Sequence, residues 1–438
     1  MSKKSILQNM LAWLAREAIR VYQPKIIGIT GSVGKTSARD ALYAILKKRF
    51  RVRKPEKNFN NEIGMPLAIL GIEHQGQSSV GWFFALAGAY FKIIFRDSNF
   101  PEILILEYGI DHPKDMDYLL AIAKPAIAVV TAIGDVPVHV EFFRNPEGLV
   151  NEKAKLVSAV NPTGHVVLNH DDYAVYDMKE KTRAHLVTFG FEEHAEVRVS
   201  NLKLQLKKEG DNGDVPEGIT FKMEYNGNFV PVRLQNTFGV PQAYAAASAA
   251  AVALVLGMNL VDIANALQDY DSPPGRMRLL RGIKKSYILD DTYNAAPEAM
   301  RSALDTLKNL PGKRKIAVLG DMLEIGKYTE QVHRAIGDQV AEFADMLFTV
   351  GPRAKFIADE AKHRGIAVGG RRLESNQVGS FDDAVEAGRT LDPLVEEGDL
   401  ILLKGSQALR MEKAVKEIMA RPDKAWELLV RQEEYWKD

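Results

Sequence analysis

Cysteine is absent from the 438 residues of this chain, and that absence excludes several kinds of protein. A disulfide framework, a cysteine nucleophile and a zinc site built from thiolates all need a side chain that the sequence lacks. The missing thiols also fit a reducing compartment. We therefore expect a cytoplasmic protein.

Net charge and long apolar runs are also missing. The chain carries 57 Lys and Arg against 57 Asp and Glu, and its composition excludes disordered, collagen-like and coiled-coil classes. The most apolar run, residues 82–95, contains Lys92 and is shorter than the ~20 residues that cross a bilayer. The first helical stretch has no signal-peptide cleavage site after it. We expect neither a membrane span nor a signal peptide.

The even charge balance conceals an asymmetry along the chain. Residues 1–57 contain 14 Lys and Arg but only Glu17, Asp40 and Glu56 as acidic residues, so the remainder is net acidic. A basic segment can attract polyphosphates, nucleic acid or an anionic membrane surface, or it can simply form solvated helix faces. Charge alone does not decide between these interpretations.

Apolar strand patterns alternate with helix-length segments through most of the chain. Residues 6–22 repeat apolar side chains at a helical period, and Pro24 ends that helix. A strand at Lys25–Thr30, a glycine-containing turn and a helix at Ala38–Lys48 follow. Further strands are predicted at Ile103–Leu106, Ala126–Val130, Val166–Leu168, Tyr287–Leu289, Lys315–Leu319, Met346–Val350 and Leu400–Leu403. This order predicts an α/β fold with mostly parallel sheets.

Two interruptions divide this pattern. The short alternating segments Val197–Leu206 and Ile219–Val232 predict a small antiparallel appendage. After an alanine-rich helix at Tyr244–Leu256, the segment Asp271–Gly275 has two prolines and a glycine that cannot continue a helix. Placing the main boundary there predicts a basic amphipathic helix at 1–24, a central domain at 25–272 and a C-terminal domain at 273–438.

A glycine-containing loop lies where the first strand passes into a helix. Backbone N–H groups and a helix N-terminus at such a junction can hold phosphate oxygens. Lys35 would neutralise the phosphates and the Thr36 hydroxyl would bind Mg²⁺. The strict Gly-x₄-Gly-Lys-Thr spacing is not met because position 29 is Ile, and an ordinary turn with a surface lysine is the alternative. The context favours a nucleotide loop formed by Gly31, Ser32, Val33, Gly34, Lys35, Thr36 and Ser37.

Four further segments resemble the Mur ligases, the ATP-dependent amide-forming enzymes of peptidoglycan precursor synthesis. The segments are the Asn-rich 58–67, Glu107 followed by His139, residues 290–297, and residues 318–326 followed by His333 and 404–406. The likeness runs from about Lys25 to Met411 and is greatest to the members that add D-alanyl-D-alanine. It implies a P-loop central ATPase domain followed by a Rossmann-like C-terminal domain.

The resemblance also implies a reaction. The γ-phosphoryl group of ATP passes to a carboxylate, and an amine then displaces phosphate from the acyl phosphate. Charge collects on phosphoryl oxygens, so the site needs cations, namely Lys35 and two Mg²⁺ ions. The absence of cysteine agrees with an acyl phosphate, not a thioester.

Metal ligands are implied in the same way. They are Thr36, Glu107, His139 and Lys153, the last carboxylated by CO₂ so that a cation becomes an anionic oxygen ligand. Without the resemblance, Lys153 would be interpreted as a solvated helix lysine, Glu107 as a surface carboxylate and His139 as a capped or core histidine. The family usually has Glu where this chain has Lys155.

The C-terminal motifs supply further candidates. Arg276 matches an arginine that approaches the nucleotide phosphates, and Asp291 and Asn294 match ribose-side or adenine-side contacts; a surface arginine in a linker and a polar turn are the alternatives. Lys35, His139, Lys153 and Arg276 are the implied catalytic set. The implied substrate contacts are Asn58, Asn60, Asn61, Lys404 and Ser406.

Several features differ from the family pattern. Only about 30 residues precede the loop in this sequence, so we expect the usual N-terminal UDP-sugar domain to be missing. Residues 239–245 differ on the adenine side, and Ala296 replaces an asparagine. An aromatic insertion at about residues 76–100 either packs on the rest of the chain, rests on a membrane or clamps a substrate; packing is the favoured interpretation.

These observations predict a monomeric ligase that adds D-alanyl-D-alanine, or a similar short peptide or amino acid, to a peptidoglycan precursor. Its partners would be ATP, Mg²⁺ and a peptide or nucleotide-sugar substrate, not nucleic acid. A peripheral membrane contact through the first helix or residues 82–96 stays open. Two alternatives remain: a folylpolyglutamate-synthase-like or other amino-acid ligase, and a nucleotide-dependent binding module without turnover.

Overall fold

Two β-sheets covered by helices form the structure, as the alternating pattern predicts. The computed structural model describes residues 3–55, 59–76, 78–208, 214–363 and 373–432. The helices are α1 (Lys3–Tyr22), α2 (Lys35–Leu46), α3 (Gly64–Leu70), α4 (Ser79–Ile94), α5 (Asp115–Ile122), α6 (Pro146–Ser158), α7 (Tyr173–Tyr176), α8 (Val240–Val255), α9 (Leu260–Leu267), α10 (Pro297–Asn309), α11 (Thr329–Ala341), α12 (Lys355–His363), α13 (Ala384–Leu391), α14 (Glu412–Ile418) and α15 (Ala425–Leu428).

The strands are distributed between the two halves of the chain. They are β1 (Lys25–Thr30), β2 (Val52–Arg53), β3 (Ile103–Glu107), β4 (Ile127–Val130), β5 (His165–Asn169), β6 (His185–Gly190), β7 (Val197–Lys208), β8 (Asp214–Tyr225), β9 (Asn228–Gln235), β10 (Arg278–Arg281), β11 (Tyr287–Asp291), β12 (Lys315–Gly320), β13 (Met346–Val350), β14 (Val378–Phe381) and β15 (Leu400–Lys404).

The first sheet has the strand order β2-β3-β1-β4-β5-β6-β7-β8-β9, and its first seven strands are parallel. After β1 the chain moves to β2 and β3 on one side and then to β4 on the other. Ligands of open α/β sheets bind where the strand order reverses, at the carboxyl ends of the strands. Thr30 at the end of β1 and Glu107 at the end of β3 lie at this point.

Both faces of this sheet are buried. Ile27 and Ile29 of β1 belong to the core beneath α2 and α8, whereas Ile26 belongs to the core on the opposite face. Because successive side chains of a strand point to opposite faces, an apolar run such as β1 indicates a sheet covered on both sides. Helix α2 packs against the alanine-rich α8, which holds the loop before α2 against the sheet.

The predicted antiparallel strands are present, since β7 and β8 pair antiparallel and so do β8 and β9. Residues 219–232 form two strands, β8 and β9, which turn at Asn226 and Gly227, each with a positive φ. Strand β7 pairs in parallel with β6, so these three strands extend the first sheet. The appendage is therefore the edge of the main sheet, because β7 continues its hydrogen-bond ladder.

The second sheet has the order β10-β11-β15-β12-β13-β14 and is parallel except for β10. Its strands begin at Arg278, just after the Asp271–Gly275 segment that the sequence marks as a boundary. Helices α8 and α9, which precede that segment, belong to the core of the first sheet. The mixed α/β class with mostly parallel sheets is confirmed.

The aromatic insertion forms the helix α4. Ser78 accepts the N–H of Gly81 and caps the helix at its start. One face of α4 packs against α1 and is buried, but large apolar side chains remain exposed on the other face. Packing therefore accounts for one face of the insertion only. Among the described residues no helix combines the length and the apolarity needed to cross a bilayer.

Replacing Ala250 by Leu should destabilise the protein by about 1–3 kcal/mol, because this fully buried position of α8 has no room for three more carbon atoms. Urea unfolding measures the change. Ala121→Leu, at an exposed position of α5, is the matched control and should leave the free energy of unfolding nearly unchanged. Equal effects at the two positions would contradict the tight packing of α8.

Candidate active site

The loop between β1 and α2 is held by the segment that follows β4. Gly31 and Gly34 have φ values of 143° and 89°, and a Cβ at Gly31 would collide with the hydroxyl of Thr131. That hydroxyl donates to the carbonyl of Val33 at 2.6 Å, and the N–H of Ser32 donates to the carbonyl of Ala132 at 2.7 Å. Helix α2 begins at Lys35, directly after the loop. The N–H groups of its first turn therefore face the loop, as in a phosphate-binding site.

Two lysines converge on this loop, Lys153 buried and Lys35 half-buried. Lys35 and Lys153 donate to the same acceptor, the carbonyl oxygen of Gly31, at 2.7 and 3.1 Å. Burial lowers the pKa of Lys35, and the carboxylate of Glu107 partly opposes that shift. Burial and the charge of Lys35 hold the pKa of Lys153 well below its usual value. Lys153 is only 1% exposed, so the interpretation as a solvated helix lysine is wrong.

Glu107 is buried and paired with a residue that the sequence analysis missed. Its Oε1 lies 2.8 Å from Nη1 of Arg39 on α2, and Arg39 also binds both carboxylate oxygens of Asp40. Lys54 contacts Asp40 at 2.6 Å. The chain of alternating charges fixes Glu107 at the end of β3 and keeps the pKa of Asp40 below its usual value through Arg39. The surface-carboxylate interpretation of Glu107 is therefore wrong.

His139 lies between the two halves of the molecule. Its Nδ1 is 2.7 Å from Oε2 of Glu324, which follows β12, and its Nε2 is 3.3 Å from Oδ1 of Asp111. The hydrogen bond from His139 lowers the pKa of Glu324. Both His139 and Glu324 have positive φ, with values of 72° and 63°. The imidazole is thus partly exposed and shared by two carboxylates.

Arg276 connects the segment between the sheets with the loop. Its Nη2 donates to the Thr36 hydroxyl at 3.3 Å, and its guanidinium lies 3.9 Å from the ring centre of Tyr293. Tyr293 also contacts the guanidinium of Arg431. Stacking on an aromatic ring holds a guanidinium plane in place while leaving its N–H groups directed elsewhere. Arg276 is therefore a fixed cation at the mouth of the loop.

Asp291 and Lys404 form a buried ion pair across the second sheet. The Lys404 ammonium lies 2.5 Å from Oδ2 of Asp291 and donates to the carbonyl of Asn294 at 2.9 Å. The side chain of Asn294 accepts the N–H of Gln407. Ser406 accepts the N–H of Leu323 at 2.9 Å. These contacts join the ends of β11 and β15 to the turn after β12.

The Asn-rich segment lies beside the strand end that carries Glu107. The carbonyl of Asn60 accepts the N–H of Gly109 at 3.0 Å, and Asn61 accepts the N–H of Gly64 at the start of α3. Asn58 lies outside the described residues. Asn60 and Asn61 therefore stand at the same opening as the loop.

One cavity of about 730 Å³ brings the predicted residues together. Its walls come from both sheets, and a second cavity of about 830 Å³ adjoins it at Val33 and Gly34. The predicted residues that line the first cavity are Ser32, Val33, Gly34, Lys35, Thr36, Ser37, Asn60, Asn61, Glu107, His139, Arg276, Asp291, Asn294, Lys404 and Ser406. Lys153 contacts the loop beside this cavity through its hydrogen bond to the carbonyl oxygen of Gly31.

Several residues in or beside this cavity were not predicted as site residues, among them Arg39, Asp111, Glu324 and Tyr293. Arg39 follows the lysine of the loop by four positions, a spacing that puts both on one face of α2. Tyr293 and Glu324 lie within residues 290–297 and 318–326, two of the segments that resemble the Mur ligases, so those segments carry a signal for both. Asp111 carries no signal of its own, since only folding brings it to His139.

The metal donors are not gathered into a preformed cluster. Within the described ranges no three His, Asp or Glu side chains are placed to hold a metal ion together. The oxygen donors of Thr36 and Glu107 nevertheless line the cavity beside the loop. Mg²⁺ is commonly held by one or two protein oxygens, water and substrate phosphates, so these residues fit one such ion.

Comparison with known proteins covers both halves of the chain. The model of the Mur ligase middle domain matches residues 91–252, and that of the Mur ligase glutamate ligase domain matches residues 275–407. The chain is similar to the UDP-N-acetylmuramoyl-tripeptide–D-alanyl-D-alanine ligase of Bacillus subtilis strain 168, with 27% identity across 94% of this chain and 79% of that protein.

A second relative and a solved structure are similar to this chain over the same two halves. The ligase of the same name from Mycobacterium leprae strain TN is 30% identical, and the match covers 88% of this chain and 71% of that protein. The crystal structure of MurF ligase from Thermotoga maritima in complex with ADP aligns with a TM-score of 0.73 and 25% identity. That alignment covers 94% of this chain and 83% of the other. The similarity thus extends over both sheets and the site between them.

Arg39→Met should destabilise the fold by about 3–5 kcal/mol, because it leaves the buried carboxylates of Glu107 and Asp40 without their shared cation. Urea unfolding measures the loss, and adding Glu107→Gln should restore part of it. Arg20→Met is the control, since Arg20 forms an exposed pair with Glu17 and should show no measurable change. If Glu107→Gln rescues nothing, the Arg39–Glu107 pair does not hold the site.

Proposed function

The chain belongs to the Mur ligase family, and we propose that it uses ATP to join D-alanyl-D-alanine, or a similar short peptide or amino acid, to a carboxylate of a peptidoglycan precursor. The observation that carries the proposal is the convergence of Lys35, Lys153 and Arg276 on one phosphate-type loop beside Glu107. Similarity to D-alanyl-D-alanine ligases over both halves supports the choice of amine.

The proposed reaction has two steps. An oxygen of the acceptor carboxylate attacks the γ-phosphorus of ATP, the bond to ADP breaks, and an acyl phosphate forms. The amine nitrogen then attacks the acyl carbon, the bond to phosphate breaks, and the nitrogen loses a proton. Both steps place negative charge on phosphoryl oxygens. Fixed cations that already face that position lower the barrier without having to reorganise.

The loop geometry supports a position for ATP. Phosphates at Gly31–Gly34 would meet the N-terminus of α2 and the ammonium of Lys35, with Arg276 above Thr36. The adjoining 830 Å³ cavity would take the base, because Phe189, Pro241 and Tyr244 line it with apolar surface. Asn169 and Asp172, at the same cavity, hydrogen-bond to nearby backbone N–H groups and shape the turns after β5 and β4.

We propose Mg²⁺ as the metal cofactor, held first by Thr36 and Glu107 and, at a second site, by His139 and Lys153. Bound there, Mg²⁺ would supply positive charge to the transferring phosphoryl group. Glu107 is held in place by the guanidinium of Arg39, at 2.8 Å. His139 would have to leave Glu324 or Asp111, its neighbours in this structure, to serve as a ligand.

We further propose that Lys153 carries a carboxylate on its side-chain nitrogen. A neutral amine attacks the carbon of CO₂, forms the N–C bond and releases a proton. The burial that lowers the pKa of Lys153 increases the neutral fraction at neutral pH. The resulting anion would face Lys35, which shares the Gly31 carbonyl with it, so a repulsion between two cations would become an attraction.

On the acceptor side we propose that Asn60 and Asn61 contact the precursor, and that Lys404 and Ser406 border the incoming amine. All four line the same cavity as the loop. Asp291 and Asn294 bind the Lys404 ammonium directly and hold it in place. We propose that both residues also contact the nucleotide.

A direct assay tests the reaction. The full chain is mixed with ATP, Mg²⁺, UDP-muramoyl-tripeptide and D-alanyl-D-alanine, and phosphate release and product mass are followed. We expect the dipeptide adduct with one phosphate per product, and its loss in Lys35→Ala because the loop cation is removed. Lys25→Ala, at the exposed start of β1, should retain turnover.

Four outcomes would contradict the proposal. Phosphate release without the adduct would exclude this pair of substrates, and turnover with a folate and glutamate instead would favour the folylpolyglutamate-synthase-like alternative. ATP binding without turnover for any acceptor would favour a binding module. Full activity in Lys35→Ala would remove the role assigned to the loop.

Lys153→Ala should reduce turnover by at least about a hundredfold, since it removes an anionic ligand beside the phosphates. Millimolar acetate or formate should restore part of the activity, and mass spectrometry of the native chain under CO₂ should show a carboxylate adduct that Lys153→Ala lacks. Lys155→Ala, two residues along α6 and partly exposed, should keep its activity. An active Lys153→Ala variant would refute the carboxylated lysine.

A further inference from the structure

Helices α1 and α4 present a continuous apolar surface, which we call the α1–α4 patch. Trp13 of α1 lies 6.2 Å from Tyr90 of α4, measured between ring centres, so the two helices contribute to one surface. Phe84 and Phe95 are 68% and 78% exposed. The exposed members are Ile6, Met10, Trp13, Val80, Phe83, Phe84, Tyr90, Phe91, Ile94 and Phe95.

The spacing on α4 shows that this exposure is systematic. Trp82, Leu86, Ala89 and Ile93 repeat at three or four residues and face the core against α1. A second apolar stripe with the same period, residues 80, 83, 84, 91, 94 and 95, faces outward. A helix that only covers a core needs one such stripe and carries polar residues opposite it. The outer stripe therefore indicates a second apolar partner.

The exposed charged side chains on and directly beside α4 are cationic, whereas Asp97, the next residue after Arg96, is only partly exposed. Helix α4 contains no acidic residue, and Lys92 and Arg96 are exposed at its C-terminal end. Arg16 is exposed on α1, and none of these three has an ion-pair partner among the described residues. The nearest acidic residue of α1, Glu17, is already paired with Arg20.

We propose that the α1–α4 patch binds the surface of an anionic lipid bilayer. The aromatic rings would enter the boundary between headgroups and acyl chains, while Lys92, Arg96 and Arg16 would lie at the level of the lipid phosphates. A second copy of the chain fits less well, because a two-fold contact would place this cationic surface against itself. The proposal does not depend on the reaction proposed above.

Vesicle sedimentation of the full chain tests this proposal. The protein should sediment with phosphatidylcholine vesicles that contain phosphatidylglycerol, less with pure phosphatidylcholine, and less again at high ionic strength. Phe84→Ser/Phe91→Ser should lower the partition coefficient by about tenfold or more, because two exposed rings no longer enter the bilayer. Lys92→Gln/Arg96→Gln should remove the preference for phosphatidylglycerol.

Phe229→Ser is the matched control, an exposed phenylalanine at the β8–β9 turn, and should bind vesicles like the native chain. Because Phe84 and Phe91 are exposed, their variant should unfold at the native temperature and keep its turnover. Failure of the native chain to sediment with either vesicle would overturn the proposal. So would a dimer, seen by sedimentation velocity without lipid, that Phe84→Ser/Phe91→Ser converts to monomer. Equal binding to both vesicle types would refute the role of the cations.

Discussion

The candidate active site depends on two lysines whose side-chain nitrogens donate to one carbonyl oxygen, that of Gly31. Lys153 is buried and Lys35 is half-buried close to the end of β1. A buried cation is costly unless an anion or a hydrogen bond compensates it. Glu107 compensates Lys35 in part. Lys35 and Arg276 are the cations that the loop offers to a phosphate group.

The carboxylate of Glu107, like the two lysines, is held in place by its neighbours. Glu107 lies beside the loop because its strand, β3, pairs with β1. Arg39 contacts Glu107 from α2, the helix that directly follows the loop. Loop, helix and carboxylate are therefore parts of one packed unit. A side chain whose neighbours fix its position can act on developing charge without first having to move.

The rest of the site comes from the second sheet. Arg276 contacts Thr36 and Glu324 contacts His139, so each half of the molecule supplies groups to the other. Lys404 is held by Asp291 and Asn294 at the edge of the same cavity. A site divided in this way is complete only when the two halves are together, and its chemistry is linked to their relative position. The α1–α4 patch belongs to the first half alone.

The sequence by itself determined the local features: the strand–loop–helix order around Lys35, the apolar strands, the breaking segment before Arg278, and the motifs that resemble the Mur ligases. These follow from glycine, proline and hydrophobic period, which act over a few residues. Only the tertiary structure decided that Lys153 is buried, that Arg39 pairs with Glu107, that His139 lies between Asp111 and Glu324, and that β7–β9 extend the main sheet. Burial and ion pairing between distant segments depend on strand order and sheet packing, which no local pattern specifies. The outer stripe of α4 depends on local pattern and on packing. Its period is visible in the sequence, but its exposure is decided only when the inner stripe packs against α1.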